Sequence, residues 1–80
     1  MLQGLNTVES KHSLPEALTA REMDVLKLIA EGNSTKEIAH ILGMSVKTAA
    51  CHRYHLLSKA GVHESIGLLR WAIKRGLIEL

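Results

Sequence analysis

The punctuation of this chain constrains its fold more than any other feature. From residue 19 onward, helix-opening and helix-closing residues alternate at short intervals. Thr19-Ala20-Arg21-Glu22 is a capping box. In that motif the Thr hydroxyl accepts from the amide three residues on, and the Glu carboxylate reaches back to the Thr amide. Leu18 and Met23 stand where a hydrophobic staple closes over the cap. Val25, Leu26, Ile29 and Ala30 follow at helical spacing, and Gly32 offers a left-handed stop. This predicts a first helix over 20–31. Ser34-Thr35-Lys36-Glu37 is a second capping box, followed by Ile38, Ile41 and Leu42 and then Gly43. The second helix is therefore short, over 35–42. Ser45 is a third N-cap, and no stop follows until Gly61, which predicts a third helix over 46–60. A fourth helix is expected over 65–75, ended by Gly76, with Leu77 closing the cap by an apolar contact. Glu64 is a poor cap, which leaves that helix's start open by a residue or two. No segment alternates as a strand does. The fold class is all-α, a four-helix bundle.

With 80 residues there is room for one small domain. A chain of this size buries too little surface to wall a deep catalytic cleft. At 46% hydrophobic the chain carries more apolar material than disordered chains do. No apolar run approaches the roughly 20 residues of a membrane helix, and the N-terminus lacks the pattern of a signal peptide. A single cysteine cannot form an intrachain disulfide, which points to a reducing, cytoplasmic setting. One Tyr, one Trp and no Phe make an aromatic platform for single strands an unsuitable reading. Residues 1–17 show no sustained period and read as a tail or linker, with a short contact open to Leu14 or Leu18.

Charge is unevenly placed. Residues 1–32 carry a net −2, residues 33–60 carry +3 and residues 61–80 carry +1. The basic middle holds Lys36, Lys47, Arg53 and Lys59, with His40, His52 and His55. A basic stretch of this kind suits a polyanion. Charge alone does not choose between that and an ordinary solvated face.

A short helix, a tight turn with glycine and a longer helix describe a helix-turn-helix. Gly43 supplies the positive φ that a steep turn needs. The inward positions of the third helix are expected to be Val46, Ala49, Arg53 by its stem, Leu56, Leu57 and Ala60. Its outward face carries Lys47, Ala50, Cys51, Tyr54 and Ser58. Small or hydrogen-bonding side chains there would let backbone and base edges approach closely. The free amides opening the second and third helices favour phosphate. From the pattern alone, a plain four-helix bundle without a ligand stays open.

Leu18-Thr-Ala-Arg-Glu22, Glu31-Gly-Asn-Ser-Thr-Lys-Glu-Ile-Ala39, Leu42-Gly-Met-Ser-Val-Lys-Thr48, His52-Arg53 and Ala60-Gly-Val62 resemble the LuxR/NarL/FixJ family of DNA-binding domains. Arg75-Gly76-Leu77 continues the resemblance, which covers about residues 18–78. It implies a domain over 18–80 whose third helix enters the major groove and whose last helix dimerises. It further implies the output half of a bacterial response regulator. Its partners would be double-stranded DNA, a second copy, an N-terminal receiver or sensor domain and RNA polymerase, with no membrane. On that reading residues 1–17 are a remnant linker, although a complete small regulator is the other expectation. Carried over by position, Thr35, Lys36, Ser45, Lys47 and Thr48 touch phosphate, and Arg53 and Lys59 lie near the backbone. Ala50, Cys51 and Tyr54 read bases. Glu22 belongs to the scaffold. Leu68, Trp71, Ala72 and Arg75 on the last helix form the dimer seam rather than core.

Departures from the family pattern carry information. Position 50, often Lys in the family, is Ala50, which removes a long donor; Ala can still meet a thymine methyl. Readout is then expected to be partly apolar and by shape, with Tyr54 as the main polar probe. Ala49 and Ala60 replace larger residues, and Met44, Leu57 or Trp71 could fill the space. Cys51, His52, His55 and His40 cluster in sequence, yet a zinc site wants four ligands at paired spacings and a second Cys is missing. No metal, cofactor or catalytic residue is expected, and His52 is expected to pack within the domain. Oxidation of Cys51 would block a DNA-facing surface. A contrasting reading is a protein-interaction domain that pairs with a related regulator through its last helix and blocks it.

Overall fold

The computed structural model describes residues 17–79. The tail expected over 1–17, Leu14 included, lies outside this range but for Ala17. Four helices follow: α1 Ala20–Ala30, α2 Thr35–Leu42, α3 Val46–Ala60 and α4 Ser65–Lys74. Each expected helix is present, with α1 and α4 one residue shorter at their C-terminal ends.

The caps behave as the punctuation requires. Thr19 Oγ1 accepts from the Glu22 amide at 3.0 Å while Glu22 Oε1 accepts from the Thr19 amide at 3.1 Å. Ser34 and Glu37 repeat this at 3.1 and 2.7 Å. Leu18 and Met23, the two staple positions, both pack against the core. At the other ends one closure recurs. The amides of Asn33, Met44, Val62 and Leu77 donate to the carbonyls of Leu28, Ala39, Leu57 and Ala72, at 2.9–3.1 Å. This six-residue back-bond needs a left-handed residue just before its donor. Gly43, at φ 68° and ψ 38°, is the one that sets the turn between α2 and α3. Helix α4 opens at Glu64 without a side-chain cap, as the poor capping residue predicts.

Helices α1 and α3 each touch all three other helices, while α2 and α4 lie apart on either side of them. The core is Val25, Leu26 and Ile29 from α1, Ile38 and Ala39 from α2, Ala49 and Leu56 from α3, Leu68 and Ala72 from α4, and Ile78 beyond it. Met44, Leu57 and Trp71 all pack against this core as partly buried side chains.

Two expectations are corrected. Val46 is not inward but half exposed. It is the first residue of α3, and the helix meets the core only one turn later at Ala49. Leu68 and Ala72 are fully buried within the single chain, so neither can present a seam to another molecule. They sit one turn apart on the side of α4 that closes the core. The side facing away holds Ile66, 64% exposed, and Ile73, 37% exposed.

Candidate nucleic-acid interface

Helix α3 is held in place from three sides, which leaves one long face outward. Lys47, Ala50, Cys51, Tyr54 and Ser58 are all exposed on it, and Tyr54 is 68% exposed. At 100° per residue they span only about 100° of the helix circumference. The core contacts of Ala49 and Leu56 fix that orientation.

The opening turn of α3 carries its own cap. Ser45 Oγ accepts from the Thr48 amide at 3.0 Å and lies 3.0 Å from Thr48 Oγ1. Ser45, Lys47 and Thr48 are exposed together there, and at the opening of α2 Lys36 is exposed with Thr35 half-buried beside it. The structure thus presents two helix N-termini, each with an adjacent lysine. Unpaired amides at such ends attract anions, and the helix dipole adds to this.

Along the outward face, Cys51 Sγ lies 3.8 Å from His55 Nε2. The His55 ring leans on Tyr54, with ring centres 6.0 Å apart and planes tilted by 58°. Cys51 and His55 are the close pair within the sequence cluster of metal-ligating residues. Among the described residues no three His, Cys, Asp or Glu side chains converge on a point. His52 is half-buried.

Two residues expected near the DNA backbone are engaged inside the domain. Arg53 is half-buried, and its Nη2 donates to Ser65 Oγ at 2.6 Å. It thereby joins α3 to the opening of α4. Lys59 Nζ donates to Glu22 Oε1 at 2.6 Å and to the Ala17 carbonyl at 3.0 Å. Both lie about 120° around the helix from Lys47, on opposite sides. The Lys59 contact was legible in part. Glu22 falls at i−3, i−4 and i−7 from Val25, Leu26 and Ile29, so it shares their inward stripe and needs a partner there. Burial disfavours charge on Glu22 and is the largest influence on it. It is outweighed by the Lys59 hydrogen bond, the Thr19 amide and the positive charges of Lys59 and His55, which together hold the carboxyl below its ordinary value of 4.5. Nothing in the sequence spacing announces the Arg53–Ser65 contact, because it joins residues on two helices.

On α4, the Arg75 guanidinium lies over the Trp71 ring, 5.2 Å from its centre. Trp71 is half-buried, and lines a shallow groove with Val62, Gly67, Arg70, Ile73 and Lys74. A Cβ on Gly67 would stand 3.2 Å from the Val62 side chain, so glycine permits this close approach. Ile66 and Ile73 are the exposed apolar residues of α4 that the reading from sequence did not assign to a seam.

A capped short helix, a left-handed glycine turn and a longer helix with an exposed polar face make up a helix-turn-helix domain. Residues 16–72 match the family model described as bacterial regulatory proteins, luxR family, and the chain belongs to that family. It is 40% identical over 70 residues to the uncharacterized response regulatory protein YgeK of Escherichia coli, covering 88% of this chain and 48% of that protein. It is 44% identical to the transcriptional regulatory protein MctR of Rhizobium johnstonii, over 79% of this chain and 29% of MctR. It is 42% identical to the oxygen regulatory protein NreC of Staphylococcus aureus, over 78% of this chain and 29% of NreC. The chain therefore spans under half of one relative and under a third of the others. Among solved structures it resembles the LuxR-type receptor VqmA of Vibrio cholerae, described as a dimer whose conformation shifts in the absence of target DNA. The TM-score is 0.72 at 38% identity, covering 76% of this chain and 28% of VqmA. The all-α architecture and the membership of a transcription-regulator family expected from the residues both stand. Among the described residues no helix is long and apolar enough to cross a membrane.

Proposed function

We propose that this chain is the output domain of a bacterial transcription regulator and binds double-stranded DNA sequence-specifically, with α3 in the major groove. The observation that carries this is the outward face of α3. It is a 15-residue helix, about 22 Å long, whose outward residues Lys47, Ala50, Cys51, Tyr54 and Ser58 include no aliphatic side chain larger than alanine. A major groove about 12 Å wide accepts such a helix. Ala50, Cys51 and Tyr54 meet base edges. Lys36 and Lys47, with Thr35, Ser45 and Thr48, contact phosphate at the two helix openings. Arg53 and Lys59 act inside the domain instead, by holding α3 against α4 and α1. The protein works in the cytoplasm, joined to a receiver or sensor domain and acting on RNA polymerase.

Dimerisation uses the exposed side of α4. Ile66 and Ile73 supply the apolar contact, Arg70 and Lys74 flank it, and Trp71 with Arg75 lies at its edge. One small module makes few phosphate contacts, and tethering two half-sites multiplies affinity. The exposed Ile66 and the short Ala50 also favour a second reading, a domain that pairs with a related regulator and blocks it.

Selection from a random duplex pool with the purified chain tests both. A repeated half-site is the expected result, and its spacing reports the dimer geometry. Dimers in solution with no enriched sequence would overturn DNA readout and support the blocking domain.

A further inference from the structure

We infer that His55 couples DNA affinity to pH: its protonated ring adds a phosphate contact at one wall of the major groove, and its neutral ring does not. This rests on the duplex-binding reading above and adds a titratable contact to it. His55 is exposed on α3 and belongs neither to the base-facing set nor to the core. At 100° per residue it lies about 80° around the helix from Lys47. Thr48, exposed and assigned to phosphate above, stands on the same margin two turns earlier. A helix with its side chains is about 10–12 Å across and the groove about 12 Å wide. The margins of an inserted helix therefore meet the phosphate walls, while its centre meets the base edges.

The ring is held at that margin by its neighbours. Cys51 Sγ, one turn back, lies 3.8 Å from His55 Nε2, and the Tyr54 ring leans on the imidazole with centres 6.0 Å apart. The charged and titratable groups facing it come from two elements. On α3 these are the Cys51 thiol, the half-buried His52 about 60° further round, and Lys59 one turn on. On α1 the Glu22 carboxylate lies within electrostatic range of His55, and an anion so placed favours the imidazolium. Lys59 is already engaged by Glu22 and the Ala17 carbonyl. That leaves His55 to supply positive charge on this margin, and histidine is the side chain that ordinarily gains its charge between about pH 8 and 5. The Glu22 carboxyl is held below its ordinary value of 4.5, so the Glu22–Lys59 pair persists throughout the window in which histidine titrates.

The test uses the full 80-residue chain on the duplex obtained by selection. Binding is titrated at several salt concentrations at about pH 5.5 and about pH 8, on either side of the ordinary histidine value. Circular dichroism checks that each chain is folded at both. The other histidines are common to wild type and variants, so the quantity read is the difference between them. His55→Gln is neutral at both pH values. On acidification wild type should gain about threefold more affinity than His55→Gln, the effect of a well-placed exposed ion pair. Its salt slope should steepen by about 0.9 more, the value of one phosphate. His55→Lys, charged throughout, should show at the higher pH the slope that wild type reaches only at the lower. A His55→Gln chain whose response to pH equals that of wild type overturns this inference and leaves the duplex-binding reading intact. A selection that enriches nothing overturns both.

Discussion

Lys59 Nζ lies 2.6 Å from Glu22 Oε1, joining the last turn of α3 to the first turn of α1. The same Glu22 oxygen accepts from the Thr19 amide, and the same Lys59 nitrogen donates to the Ala17 carbonyl. The Glu22 side chain is 6% exposed and that of Lys59 27%. The contact ties α3 to α1 and engages Lys59 within the domain, although Lys59 lies in the most basic part of the chain.

Removing one partner leaves a buried charge uncompensated. Lys59→Met should destabilise the domain by about 1–3 kcal/mol, below the figure for a fully buried pair because Lys59 is partly solvated. Thermal or urea unfolding measures this. In DNA titrations at several salt concentrations the Lys59→Met slope should match wild type, whereas Lys36→Ala or Lys47→Ala should each reduce it by about 0.9. A reduced slope in Lys59→Met would return that residue to the phosphate contacts.

The Glu22 carboxyl has a lowered pKa in the folded chain. At a pH near or below the ordinary carboxylate value, the folded chain therefore binds fewer protons at Glu22 than the unfolded chain does. The stability it contributes is complete above that value and is lost as pH falls through the lowered folded one. Unfolding free energy followed from pH 6 downward should fall more steeply in wild type than in Glu22→Gln. Parallel profiles would remove Glu22 from the acid response.

Ile66 and Leu68 are two residues apart but should behave oppositely. Ile66→Glu should leave the unfolding transition within about 0.5 kcal/mol of wild type, as expected for an exposed position, and abolish self-association in sedimentation equilibrium. Leu68→Ala should cost about 2–5 kcal/mol through a core cavity. An Ile66→Glu chain that still dimerises would place the seam elsewhere.

Tyr54 should contribute to recognition rather than folding. Tyr54→Ala should leave stability near wild type, since the ring is 68% exposed. It should weaken binding to the selected site more than to a mutated one. Equal losses on both duplexes would reduce Tyr54 to a nonspecific contact.

Gly43 stands at φ 68° with no heavy atom within 4 Å of where a Cβ would be. The cost of Gly43→Ala is therefore backbone strain alone, about 1–2 kcal/mol, with no steric clash. Chemical denaturation would read it. A neutral substitution would mean the turn relaxes without changing the angle between α2 and α3.

Local signals carried most of the fold. Two complete capping boxes, the Ser45 cap and the recurring glycines mark helix ends by hydrogen bonds that span three to five residues, and so they are readable in order along the chain. The outward face of α3 was readable for a related reason. Ala49 and Leu56, seven apart, face the core, and the helical period then sends Lys47, Ala50, Cys51 and Tyr54 away from it.

Side-chain fates that depend on another helix were not readable in that way. Within α4 alone, the stripe of Leu68 and Ala72 and the stripe of Ile66 and Ile73 are equally apolar. Only the position of α1 and α3 decides that the first closes the core and the second meets solvent. Arg53 and Lys59 look alike to a charge count, yet Ser65 and Glu22, brought near by packing, turn both inward. Sequence by itself determined the helix ends to within a residue or two, because most of those bonds are local. Tertiary structure alone decided which cations and which apolar stripe remain outside, because desolvation and ion pairing act between segments far apart in the chain.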